Sequence, residues 1–149
     1  MKNKKAFTLI ELLVVIAIIG LLATLSVLAL NNARAKGRDA KRVSDIKQIQ
    51  TALELYFNDK QLYPATLVTG STITSTSSAG TSTYMQVIPS SPTPNVSTSV
   101  TGCGGTDYTY EMQEVGASYT LKYCLEGNVG AIPGQTLHTA TNATLYTAE

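Results

Sequence analysis

Few side chains in this sequence are equipped for covalent or metal chemistry. In 149 residues there is one histidine, His138, and there are two cysteines, Cys103 and Cys124. A structural zinc site takes four nitrogen or sulfur ligands, so these three cannot complete one. Beyond Lys60 the acids are Asp107, Glu111, Glu114, Glu126 and Glu149. They form no D-x-D-type cluster, and calcium wants six to eight oxygens. No Gly-rich phosphate loop, G-x-S-x-G, H-E-x-x-H or Cys-x-x-Cys occurs. These absences argue against an enzyme, and neither a metal nor a cofactor is expected. The titratable group that stands out is Glu11, the one charge in the run FTLIELLVVIAIIGLLATLSVLAL at residues 7–30. An acid in an apolar helix costs about 2.5–3.5 kcal/mol at mid-bilayer and less near an interface. Glu11 either snorkels to the headgroups or stays protonated, or it meets a cation supplied by another chain.

The element that carries Glu11 is a membrane-length helix. Twenty-four helical residues span about 36 Å, against a hydrocarbon core of roughly 30 Å. The preceding MKNKKA holds three lysines and no acid, which places the N-terminus in the cytoplasm and the rest of the chain outside. A cleaved secretory signal would need an apolar region of only about 7–15 residues. The run is longer than that, which favours a retained helix. The net charge is +1, and no basic run exceeds the Lys4-Lys5 pair, so nucleic acid is not an expected partner.

The stretch Lys4-Lys5-Ala6-Phe7-Thr8-Leu9-Ile10-Glu11-Leu12-Leu13-Val14-Val15 resembles the prepilin processing motif of type IV pilins and type II secretion pseudopilins. The resemblance implies a cut between Ala6 and Phe7 by a membrane prepilin peptidase, then N-methylation of the Phe7 amine. It further implies that Glu11 neutralises a neighbouring subunit's N-terminus in a helical filament built from copies of the chain. Ala6 stands where the family usually has Gly and is small enough for the same pocket. Other implied partners are an inner-membrane assembly platform and, before assembly, membrane lipid. The implied location is the inner membrane, and after assembly a periplasmic or extracellular filament. Loss of residues 1–6 would remove Lys2, Lys4 and Lys5 and turn the charge from +1 to −2.

No proline occurs before Pro64, so one helix can run from about Phe7 to Asp59. Gly37, close to the polar change at Asn31-Asn32, is the expected bend or melting point. Val43, Ile46, Ile49, Leu53 and Tyr56 recur every three or four residues and form one apolar stripe, which needs a globular partner. Arg34, Lys36, Arg38, Lys41 and Arg42 are candidates for binding lipid headgroups. Leu62-Tyr63-Pro64 ends the helix, because the residue before proline avoids the α region. The segment IKQIQTALELYFNDKQLYP at residues 46–64 also resembles the helix end of major pseudopilins. The calcium ion that many of those proteins hold is not carried over, for want of acids.

Residues 66–101 contain 19 Ser or Thr in 36 positions and read as exposed loop, open to O-linked sugar. Within it, Tyr84 to Pro89 resembles the apolar segment that precedes the sheet in pseudopilins and crosses the helix. Tyr108 to Met112 and Tyr119 to Leu125 alternate and form a hairpin around Glu114-Val115-Gly116-Ala117. Tyr119, Leu121, Tyr123 and Leu125 share the face that covers the helix stripe. A last segment near 139–146 is an edge strand or disordered. Cys103 and Cys124, 21 positions apart in an exported domain, suggest a disulfide worth about 3 kcal/mol on the loop-entropy model; two free thiols are the alternative. The expected fold is α+β and pilin-like. It has a leader at 1–6, a transmembrane or filament-core half-helix at 7–30, an amphipathic half at 31–60, and a small antiparallel β domain at 61–149. Two functions fit: a subunit of a type IV pilus or secretion pseudopilus, or a single-pass membrane-anchored adhesion module that never polymerises.

Overall fold

The computed structural model describes residues 7–78, 80–96, 103, 108–145 and 147–148. Two compact units result, Met1–Ala35 and Lys36–Glu149. Helix α1, Leu9–Lys60, is continuous. The expected melting at Gly37 does not occur. A glycine costs a helix only about 1 kcal/mol relative to alanine, and the backbone hydrogen bonds on either side outweigh it. At the far end Gln61 turns to φ 57°, and its N–H donates to the Phe57 carbonyl at 2.7 Å. This left-handed residue stops the helix in the usual way, three positions before Pro64.

In the second unit the stripe is buried as its spacing predicts. Val43, Ile46, Ile49 and Leu53 belong to one core with Tyr119, Leu121, Tyr123 and Leu125. The last four are at most 3% exposed, and full burial of each large side chain contributes roughly 1.5–3 kcal/mol. They come from β4, Ser118–Cys124, whose alternate residues face inward, and from the residue just beyond it. β4 pairs antiparallel with β3, Thr109–Gln113, in the register Tyr110 to Leu121 and Met112 to Tyr119. On its other side it pairs with β5, Leu137–Thr141, in the register Leu121 to Ala140 and Tyr123 to His138. The order β3-β4-β5-β6 closes with the short strand β6, Thr147–Ala148. The start of the C-terminal segment is thus an ordered strand, β5, flanked by β4 and, at His138 and Thr139, by β6.

The Ser/Thr-rich stretch also departs from expectation. Part of it forms a second sheet, the hairpin β1, Ile73–Ser77, with β2, Gly80–Met85. Ile73 is buried in the core, and the Tyr84 hydroxyl bridges Ser75 Oγ at 2.8 Å to Asp59 Oδ2 at 2.7 Å. Tyr84 also meets the Tyr56 ring edge-on at 5.5 Å. The hairpin is thus fastened to the core by Ile73 and to the end of α1 by the hydroxyl and ring of Tyr84. Residues 97–101, also expected as loop, lie outside the described residues.

Two glycines are required by close approach. A Cβ at Gly116, φ 91°, would sit 3.1 Å from Leu62 Cβ, and one at Gly134 would run into the Gly127 backbone. The first lets the β3–β4 turn pack under Leu62 and Tyr63. The second lets residues 133–135 cross the segment that follows β4.

Candidate functional site

The N-terminal site is built by the start of α1. Thr8 precedes the first helical residue, and its Oγ1 accepts from the Glu11 N–H at 3.3 Å. Glu11 Oε2 reaches back to accept from the Thr8 N–H and the Thr8 hydroxyl, each at 2.8 Å. This reciprocal arrangement is a capping box, which satisfies orphan donors of the first turn. Glu11 therefore has a job within its own chain as well as a charge to offer. Around it the surface is apolar: large side chains between Phe7 and Leu30 are exposed from 48% at Val14 to 89% at Phe7. Such a surface in an isolated chain calls for lipid or other helices to cover it. Ala6, on the far side of the expected cut, lies outside the described residues.

A second constellation lies in the other unit, where sequence reading expected only surface charge. Arg42 is fully buried, and all five of its N–H groups have acceptors. Nη1 donates to Asp39 Oδ1 at 2.6 Å and to Glu126 Oε1 at 2.8 Å. Nη2 donates to the carbonyls of Pro92 at 2.9 Å and Pro94 at 3.0 Å, and Nε to Ser91 Oγ at 3.3 Å. Asp39 in turn accepts the Glu126 and Gly127 N–H groups at 2.9 and 2.7 Å. Arg38 grips Glu126 with two parallel bonds of 2.7 and 2.6 Å. Arg38 and Arg42 are therefore taken up by ion pairs rather than free for lipid headgroups. Exposed Arg34, Lys36 and Lys41 remain for that role.

Cys103 and Cys124 are joined, with Cα atoms 5.8 Å apart. Among the described residues no group of three or more His, Cys, Asp or Glu is placed to hold a metal. Tyr63 is buried and gives its hydroxyl to Glu54 Oε1 at 2.8 Å. His138 lies in the core, its Nε2 2.8 Å from the Pro133 carbonyl and 2.9 Å from Thr136 Oγ1.

These environments set a pH dependence. Burial holds the His138 pKa below its ordinary 6.5. The unfolded chain then takes up that proton first, and stability falls as pH drops below about 6.5. The bonds from Arg38, then those from Arg42, hold Glu126 below its ordinary 4.5. Its contribution is complete above that value and is lost as pH falls through the lowered one. Asp45 is shifted upward by burial, which the Tyr108 hydroxyl and Lys41 partly oppose, and it offsets some of the loss. Thermal melts of the full chain in detergent should show two falls, one setting in below about pH 6.5 and the other below about 4.5. His138→Gln should flatten the first and leave the second. An unchanged upper limb in that variant would remove His138 from the account.

The capping role of Thr8 was missed in the sequence, although the T-x-x-E pattern it opens is the signal that could have found it. Asp39 and Arg42 show only a three-residue spacing. Nothing near them points to Glu126, 84 residues beyond Arg42.

An apolar N-terminal helix, capped through Thr8 and Glu11 and continuing into an α+β unit with small antiparallel sheets, is a pilin-like architecture. Comparison with known proteins agrees. Residues 1–27 match the family described as the prokaryotic N-terminal methylation motif. The chain is 42% identical over 64 residues to the type II secretion system core protein G of Pectobacterium carotovorum subsp. carotovorum, covering 43% of this chain and 41% of that protein. It is 44% identical over 64 residues to the core protein G of Escherichia coli (strain K12), covering 43% and 44%. It is 41% identical over 54 residues to a fimbrial protein of Pseudomonas aeruginosa, covering 36% and 35%. The chain thus matches less than half the length of each of these relatives. No solved structure matches it.

Proposed function

We propose that this protein is a structural subunit of a type IV pilus or a type II secretion pseudopilus. The observation that carries this is the exposed apolar surface of residues 7–30 with a single acid four positions after Phe7. A prepilin peptidase cuts between Ala6 and Phe7, and the new Phe7 amine is methylated. The helix waits in the inner membrane with its N-terminus inside and the disulfide-bonded domain outside, where an oxidising environment suits that bond. An inner-membrane assembly platform then moves it into a filament whose core is made of the same helices. There the apolar faces replace lipid, and Glu11 pairs with the Phe7 amine of a neighbour. No step in this role requires catalysis by the chain itself.

Mass spectrometry of the mature N-terminus, together with electron microscopy of filaments sheared from cells, tests the reading. N-methylated Phe7 and filaments containing this chain are expected. A chain that still starts at Met1 and stays in the membrane would refute it and leave the non-polymerising anchor as the better account.

A further inference from the structure

The β3–β4 turn holds an unusual backbone. Glu114, Val115 and Gly116 have φ values of 50°, 56° and 91° in succession. Glycine accepts this region freely, but a β-branched residue is a genuine outlier there. Val115 is 96% exposed, so its own fold gains no burial from the strained placement. The turn is nonetheless held firmly. The Tyr63 N–H donates to the Gly116 carbonyl at 2.8 Å, and Gly116 packs against Leu62. The result is a fixed tip that presents one apolar side chain with the exposed acid Glu114 beside it.

The same unit carries a matching concavity. A cavity of about 380 Å³ lies between α1 and β2, with Ala52, Leu55, Tyr84 and Met85 along it and Lys47 also on its wall. Leu55 is 51% exposed, which leaves apolar surface uncovered. The space accommodates a valine side chain, and the groove offers a cation where the tip offers a carboxylate.

We propose that the Glu114–Val115 tip of one copy seats in the α1–β2 groove of a second copy. Val115 covers Leu55 and Met85, and Glu114 faces Lys47. The inference rests on the filament reading above. Tip and groove are different patches of one chain, so the contact is head-to-tail. A contact of that kind that does not close on itself propagates as an open helix, the symmetry a filament needs.

The test uses the full-length protein expressed with its own assembly machinery. Cys103 and Cys124 are joined to each other, so introduced cysteines supply the free thiols. Leu55→Cys combined with Val115→Cys should give a ladder of covalent multimers in oxidised filaments, while either variant alone should not. Val115→Asn tolerates the left-handed backbone and should keep or raise the melting temperature, yet lower filament yield about tenfold or more, as expected for losing a buried valine. Glu114→Lys and Lys47→Glu should each lower the yield, and the double variant should restore it. Filaments of the Leu55→Cys, Val115→Cys variant that assemble normally but do not cross-link would overturn the contact while leaving the filament reading intact. Cross-linking of position 115 to a different protein would overturn it too. Absence of filaments from the wild type would sink the filament reading and the contact with it.

Discussion

Replacing Glu11 with alanine is expected to leave the chain inserted in the membrane but to lower filament assembly by roughly a hundredfold or more. The estimate follows from the cost of a buried charge left without its partner, about 3–5 kcal/mol, at 1.4 kcal/mol per factor of ten. On the proposed filament reading, the charge left unpaired would be the neighbour's Phe7 amine inside an apolar core. The alanine variant also loses the capping box with Thr8, so by itself it confuses two roles. Glu11→Gln separates them, because glutamine at this position keeps the box and loses the charge. Assembly counted from sheared filaments should fail in both variants, with helix content and membrane fractionation unchanged in Glu11→Gln. Normal filaments from Glu11→Gln would reduce Glu11 to a helix cap.

The second large effect is expected at Arg42. Arg42→Met removes one guanidinium and leaves Asp39 buried and Glu126 held by Arg38 alone, with the carbonyls of Pro92 and Pro94 stripped of a donor. Breaking a buried ion pair from one side costs about 3–5 kcal/mol, on the order of 10–20 °C in melting temperature for a domain of this size. Lysine should not rescue the site, since a single ammonium cannot reproduce five forked donors. Lys41→Ala on the exposed side of the same helix should change stability by less than about 0.5 kcal/mol. A melting temperature for Arg42→Met close to that of Lys41→Ala would show that the network contributes nothing net.

Both predictions turn on residues whose legibility differs. Glu11 could be picked out from the sequence, because a single acid in an apolar run has no neighbours to dilute it. The stripe from Val43 to Leu53 and the alternation from Tyr119 to Leu125 were legible for a similar reason, since each repeats with the period of its element. The β3–β4 pairing followed from that alternation and an intervening turn. Arg42 was not legible. It sits next to the stripe as a helix-surface charge would, and its burial depends on Glu126 arriving from a distant loop. The β1–β2 hairpin was missed because its strands are Thr and Ser, whose backbone pairing needs no apolar pattern. Only Ile73, Tyr84 and Met85 tie it to the core. β5 was missed as an inner strand because His138 and Thr139 are polar residues buried by pairing on both sides. The left-handed conformation of Val115 was invisible too, as nothing in the residue type prefers it.

The 84-residue separation between Arg42 and Glu126 also has a consequence in time. Chains are made from the N-terminus at about 5–20 residues per second, so Arg42 precedes Glu126 by on the order of ten seconds. During that interval Val43, Ile46, Ile49 and Leu53 have no sheet to cover them, since β4 and β5 come late in synthesis. Pairings this far apart in sequence also form slowly once the chain is complete. The nascent chain therefore passes through a stage in which half a helix is synthesised and unshielded. Any factor that protects newly made copies from proteolysis or clumping has that window in which to act.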